Sequence, residues 1–455
     1  MMKRKLRVGL KGSFVRLVAG MLATGSALGV YGVGIVAEPC FNIFYVSAVA
    51  LTGAHVFRGG PRSLTAKLLV ALASTCLALA VADLALRPFL AMRYYYRPHD
   101  RFIGLHPDVR MLTRYRPGAS YAGRVYGDLA AVSGAEPCRD YRWVRFQVDD
   151  RGYRNDPARA YRTCNTVVLG DSYGVGIGTT QDRTWAGVLT RQYGRDVYNL
   201  SIPGGPWEAL MHLSLEIHNI SLQTNAWIIW SFFEGNDLSD TCSPILDASE
   251  LPRKGRLESL QEQYQAFRSR SPICRMWGDA VQARPKPSAE KSVLERKFLN
   301  GRSLLFWAPY FGMTKCSRDE ILRHPNSAML NSVFAAAKRL ADAQGCRVGL
   351  VFVPCKEDVY SWVIEQAAPW STPAEPSALG RVVREMAESN GFAFLDVKPR
   401  FVIESRKRFE ESGEILWWYD DTHLNERGNA LLAEAVFREL LSRASTSSRS
   451  ILAAE

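Results

Sequence analysis

From residue 166 onward the chain predicts an α/β fold, a parallel sheet covered by helices on both faces, preceded by N-terminal transmembrane helices. Three observations carry this. Short β-branched runs alternate with helical stretches through the C-terminal part, the rhythm of parallel strands joined by crossover helices. Three long apolar runs crowd into the first ninety residues. The whole chain is 47% hydrophobic and 22% charged, which suits a large buried core and excludes wholesale disorder. At 455 residues it exceeds the roughly 100–200 of one ordinary domain.

The first run, Phe14–Val36, holds 23 residues with Arg16 its one charge, against the about 20 apolar residues that span a bilayer as a helix. Phe41–Phe57 is a shorter second run and Leu68–Leu86 a third, whose Asp83 lies one turn before Arg87. Lys3, Arg4, Lys5, Arg7 and Lys11 precede the first, and Arg58, Arg62 and Lys67 separate the second from the third. With cations kept inside, the N-terminus is cytoplasmic and everything after about residue 90 lies outside. Arg87, Arg93, Arg97 and Arg101 run against that orientation. The expectation is a multi-pass protein of the cell (inner) membrane, residues 1–92 forming its anchor and the bilayer being its first partner. Twelve Lys/Arg against three Asp/Glu in residues 1–100 supply +9 of the total +12. A nucleic-acid-binding body would itself be basic, so nucleic acid is not expected as a partner.

Residues 93–165, rich in Arg, Tyr, Pro and Gly, read as an irregular or β-containing lead-in with strand-like runs such as Trp143–Val148. Strands are expected at 166–169, 197–200, 227–233, 348–353 and 392–397. Helices are expected at 185–193, 206–217, 327–344, 377–389 and 426–442. Residues 239–325, charged and Pro/Arg-rich, read as an insertion or lid within a catalytic domain 166–442, and 443–455 as a loose tail. Seven cysteines lie beyond the anchor: Cys138, Cys164, Cys242, Cys274, Cys316, Cys346 and Cys355. None has zinc spacing; an exported domain allows up to three disulfides among them, and unpaired core thiols are the alternative.

Four small motifs follow expected strands or precede the closing helix. Gly170-Asp171-Ser172-Tyr173-Gly174 puts a serine on a tight turn after a buried strand, its hydroxyl exposed. Gly204 follows the second strand and offers a backbone N–H with no side chain in the way. Asn236, inside Glu234-Gly235-Asn236-Asp237, offers a neutral amide donor. Asp420-Asp421-Thr422-His423 places two carboxylates within three residues of a histidine, able to fix its tautomer while the other ring nitrogen takes a serine proton. Each taken singly also fits a plain turn, an Asx turn or a surface ion pair.

In this order the four blocks resemble those of the SGNH (GDSL-type) hydrolase superfamily, over about Thr166 to Leu441 apart from 239–325. The resemblance implies a three-layer, flavodoxin-like sheet. It also implies Ser172 as nucleophile, His423 as base and Asp420 as the acid orienting it. The oxyanion hole would come from Ser172, Gly204 and Asn236. Asp421-Thr422-His423 is similar to the Asp-x-His spacing of envelope-polysaccharide O-acetyltransferases of that fold, which makes Asp421 the alternative acid. Val353-Pro354-Cys355-Lys356-Glu357-Asp358-Val359-Tyr360 also looks like a segment of those relatives. The chemistry implied requires no metal and no other cofactor.

The first expected function is therefore a serine ester hydrolase acting on a carbohydrate or lipid O-acyl group at the cell envelope. The alternatives are an O-acyltransferase moving acetyl groups onto an envelope or secreted polysaccharide, and a non-catalytic glycan-binding assembly component. Ester-bearing glycan or lipid is the expected substrate, and a multi-pass acyl-donor membrane protein a possible partner of the spans. Tyr173, Trp207, Trp417 and Trp418 are candidates for stacking on sugar rings.

Overall fold

The computed structural model describes residues 96–253, 255 and 292–442. The three apolar N-terminal runs and the tail from 443 lie outside the described residues. Among those described, no helix is long and apolar enough to cross a membrane. Chain contacts define two units. Of the one comprising Met1–Tyr95, Pro107–Val109 and Arg253–Pro285, little is described beyond an isolated antiparallel bridge between Val109 and Arg253. The other unit, Tyr96–His106, Arg110–Pro252 and Lys286–Glu455, carries the sheet and the site.

The described strands are β1 (Ile103–Leu105), β2 (Thr113–Tyr115), β3 (Ser120–Val125), β4 (Arg142–Gln147), β5 (Cys164–Gly170), β6 (Val197–Asn199), β7 (Leu222–Phe233), β8 (Val293–Lys297), β9 (Ser303–Trp307), β10 (Arg347–Val353) and β11 (Ala393–Asp396). Three antiparallel ribbons pair β1 with β2, β3 with β4 and β8 with β9. The other five strands form one parallel sheet in the order β11-β10-β7-β5-β6. The chain steps from β5 out to the β6 edge, crosses back over β5 to β7, then continues to β10 and β11. That reversal opens a crevice at the carboxyl ends of β5 and β7, the switch point where open α/β sheets bind ligands.

Alternation along each strand sends side chains to both faces. Trp230 and Phe232 turn toward Phe334 of the Ser327–Ala343 helix. That helix also packs with Pro206–Glu216 and Ala378–Ser389. Val168, Ile229 and Val351 belong to the core shared with the Trp185–Tyr193 and Glu426–Val436 helices. The sheet is therefore covered on both sides, as its near-continuous apolar runs require.

Boundaries differ from expectation where the hydrophobic signal is weak. β7 begins at Leu222, because Cys164 pairs with Leu222 across a register shift even though Gln223, Thr224 and Asn225 carry no apolar pattern. The closing helix is α-helical to Val436 and widens into a π-turn over Phe437–Leu441. The Lys398–Ser412 helix carried no expectation; its buried side is confined to Lys398, Phe401 and Ser405. The expected insertion is partly built into the domain: Leu304 and Phe306 of β9 are in the core, and Leu305 N–H donates to the Tyr419 carbonyl at 2.9 Å. Residues 256–291 lie outside the described residues. Cys138, Cys164, Cys242, Cys316, Cys346 and Cys355 are all free thiols, so no disulfide joins described residues.

Candidate active site

β5 ends at Gly170, whose φ of +150° belongs to glycine's range and whose missing side chain matters: a Cβ there would stand 2.1 Å from Ser231 Oγ on β7. The close approach lets the chain turn at once. Asp171 caps the short Ser172–Val175 helix by accepting from the Tyr173 N–H. Ser172 is thereby left half-buried at the mouth of the crevice.

His423 arrives from the loop ahead of the Glu426–Val436 helix. Asn425 fixes that loop: its Oδ1 caps the helix through the Arg427 and Gly428 N–H groups, and its Nδ2 donates to the Ile415 and Trp417 carbonyls. Tyr173 holds the same loop from the Ser172 side, donating its hydroxyl proton to the Thr422 carbonyl at 2.5 Å. The outcome is a 2.9 Å contact between His423 Nε2 and Ser172 Oγ. On the other ring nitrogen, Nδ1 lies 2.8 Å from Asp421 Oδ1. With the Nδ1 proton donated to Asp421, Nε2 is left to accept from the serine. Asp171 Oδ2, 3.3 Å from Ser172 Oγ, is a second acceptor for that hydroxyl; burial pushes Asp171 up to about 6.

The two candidate acids thus separate. Asp421 contacts the imidazole. Asp420, the resemblance's first choice, is turned away: its Oδ2 accepts from the Gly127 N–H at 2.7 Å and the Asp140 N–H at 2.8 Å, and its Oδ1 from Arg142 at 3.0 Å. Those three donors capture its carboxylate for anchoring residues 127–142 to the His423 loop. Burial raises its pKa to about 6, partly offset by Arg142.

Asp421 is itself clamped. Arg97 Nη2 donates to its Oδ1 at 2.6 Å, and Arg142 pairs with its Oδ2. Lys356 Nζ donates to its backbone carbonyl at 2.6 Å. Burial alone would push the carboxyl up, but Arg97 and Arg142 hold it well below the usual carboxylate range. Asp128 closes the ring, accepting from the Thr422 N–H and hydroxyl at 2.9 and 2.6 Å and standing 3.3 Å from Arg97 Nη2. Asp128, Asp421 and His423 approach one another closely enough to hold a cation. The Arg97 guanidinium already fills that position.

Arg97, Asp128 and Arg142 all come from the stretch read as a lead-in, and sequence reasoning missed them. One signal was available. Alternation along Arg142–Gln147 buries every second residue, and the register that points Val144 and Phe146 inward also points Arg142 inward; an inward-facing arginine needs a buried partner.

Gly204 and Asn236 reach the same rim. The Ile202 N–H donates to the Gly170 carbonyl at 3.2 Å, so the Gly204 turn lies alongside the Ser172 turn. Asn236 Nδ2 donates one proton to Asp240 Oδ2 at 2.5 Å, and its Oδ1 is buried without a partner. An amide carries two N–H donors, so one remains after Asp240 is served. The expected stacking aromatics are placed differently. Tyr173, Trp207 and Trp417 are buried, and Trp418 lies under the Arg142 guanidinium at 4.4 Å. Packing and cation–π contact occupy their faces.

No family model and no curated protein matches this chain.

Proposed function

We propose that this chain is a serine-dependent ester hydrolase of the SGNH type, and that it acts on O-acyl groups of envelope glycans or lipids from a membrane-anchored position outside the cytoplasm. The observation that carries the reading is the continuous relay Ser172 Oγ–His423 Nε2/Nδ1–Asp421 Oδ1 at 2.9 and 2.8 Å, on the rim of the crevice beside β5. A core histidine needs no nucleophile on one nitrogen and a doubly clamped carboxylate on the other.

In the reaction, Ser172 Oγ gives its proton to His423 Nε2 and bonds to the ester carbonyl carbon. The oxyanion is held by the Ser172 and Gly204 N–H groups and the second Asn236 Nδ2 proton. Collapse breaks the bond to the alcohol, which takes the proton from Nε2. Water then attacks the acyl-serine with Nε2 as base, and the proton returns to Oγ as the carboxylic acid departs.

The test pairs an active-site fluorophosphonate with a chromogenic acetyl ester, using the full chain. Labelling at Ser172, absent in Ser172→Ala, together with ester turnover in water, is the expected result. An unlabelled wild-type chain refutes the mechanism. Acetyl transfer that appears only when an oligosaccharide is added reassigns it as a transferase.

A further inference from the structure

The β3–β4 ribbon has two unlike faces. Arg142, Val144 and Phe146 point inward and are buried. The outward positions are Ser120, Ala122 and Arg124 on β3 and Trp143, Arg145 and Gln147 on β4, with no Asp or Glu among them. Trp143 is 64% exposed, and Tyr141, two residues before it on the same side, is 48% exposed. Arg124 stands directly across from Trp143, and Arg145 across from Ala122. The small Ala122 lies diagonal to Trp143 and does not cover its ring. Arg124 lies 4.7 Å from the centre of the Tyr141 ring, and no carboxylate pairs with it among the described residues. Arg145 reaches one acid, Asp182, at 3.7 Å, which Arg191 also claims.

A strand face with an open indole, a half-exposed phenol that Arg124 and Tyr126 flank, and two under-compensated guanidiniums has a recognisable ligand chemistry. Aromatic faces stack on the apolar faces of sugar rings. Guanidinium forks take carboxylates in bidentate pairs. We infer that this outward face binds a carboxylate-bearing polysaccharide, sugar rings lying on Trp143 and Tyr141 and acid groups paired with Arg124 and Arg145. The choice of a glycan as occupant rests on the site being one that acts on glycan esters; the negative charge rests on the arginines alone. A lipid surface fits less well, since its anchors would be several apolar side chains side by side and the face offers two aromatics separated by charge. The same strand reaches the triad through Arg142, so a chain held on the outer face is held by the element that clamps Asp421.

The experiment is affinity electrophoresis of the full chain in detergent, through gels holding polygalacturonate or neutral hydroxyethyl cellulose. Polygalacturonate is expected to retard the wild type. Trp143→Ala and the double variant Arg124→Ala/Arg145→Ala are expected to raise Kd roughly tenfold, while Ser172 labelling and acetyl-ester turnover stay at the wild-type level. Equal retardation of wild type and variants overturns the inference, as does equal retardation by the neutral gel. So does anionic-vesicle binding that Trp143→Ala abolishes in a chain polygalacturonate does not retard. A wild type that is retarded but unlabelled at Ser172 supports the face and sinks the ester chemistry, so the two failures are distinct.

Discussion

At the scale of single residues, neighbouring carboxylates have opposite duties. Asp421 orients and charge-balances His423, so Asp421→Asn is expected to cost about 10⁴ in kcat, the loss that follows when an imidazole is left in the wrong tautomer. Asp420→Asn should keep most of the activity and lose stability: an amide oxygen at the Oδ2 position still accepts from the Gly127 and Asp140 N–H groups, but its NH2 then faces the Arg142 donor. Steady-state kinetics beside thermal melts separates the two; equal loss of kcat in both variants refutes the assignment. Asn236→Ala should cost roughly 10²–10³ in kcat with the fold intact, the effect of one oxyanion donor. The spacing Asp420-Asp421-Thr422-His423 made either acid available to the histidine. What decided between them was Gly127, where a Cβ would fall 1.9 Å from the Asp420 carbonyl. A contact between residues nearly three hundred positions apart leaves no trace in local spacing.

At the scale of elements, the parallel strands and the Ser172 turn were legible because burial on both faces writes itself as β-branched runs ended by glycine. The ribbons were harder to see: β8 and β9 take their burial from partners distant in sequence. The junction after β10 shows what such packing does to charge. Glu234 is fully buried where β7 ends, accepting from the Cys355 N–H at 3.1 Å with its Oε1 unpartnered. Burial, with Asp358 nearby, pushes it up to about 8. In the unfolded chain it ionises near pH 4.5, so between there and about 8 the folded state holds one proton more than the unfolded state. Its contribution is therefore greatest below the unfolded pKa and is lost as pH rises toward 8, with a slope approaching roughly 1.4 kcal/mol per pH unit. Glu234→Gln removes this dependence, and its melting temperature should gain on the wild type steadily from pH 5 to 8. Parallel melting curves across that range sink the idea. The loop after Trp418 makes a second case. Asn425→Ala removes a cap and two buried carbonyl partners, a loss of about 2–4 kcal/mol, and should lower ester turnover with it because His423 lies in the loop so held.

Across the whole molecule, the site is assembled from both ends of the described chain. Arg97 precedes the sheet and Asp421 follows it, 324 positions later, yet they meet at 2.6 Å. Around His423 stand Arg97, Arg142 and Lys356 against Asp128 and Asp421, with Asp420 beside them pushed by burial toward its neutral form. Asp171 and Glu357 lie near the same cluster, both pushed by burial toward their neutral forms. Arg97 Nη2 also lies 3.1 Å from His423 Nδ1, so one guanidinium touches both the carboxylate and the ring it orients. Replacing Arg97 by Met leaves Arg142, among the described residues, as the one side-chain cation on Asp421, so the Asp421 carboxyl should rise from its depressed value. kcat should then fall by roughly tenfold or more, because the carboxylate that orients the ring is held from one side only. Stability should fall as well, by less than the about 3–5 kcal/mol of a buried carboxylate left with no partner, because Arg142 still pairs with Asp421. Arg97→Lys keeps the charge while losing the guanidinium fork, so it should restore kcat more fully than the melting temperature. That split distinguishes electrostatic positioning from packing: a folded Arg97→Met protein with an unchanged kcat means the arginine holds the chain together and does nothing to the base.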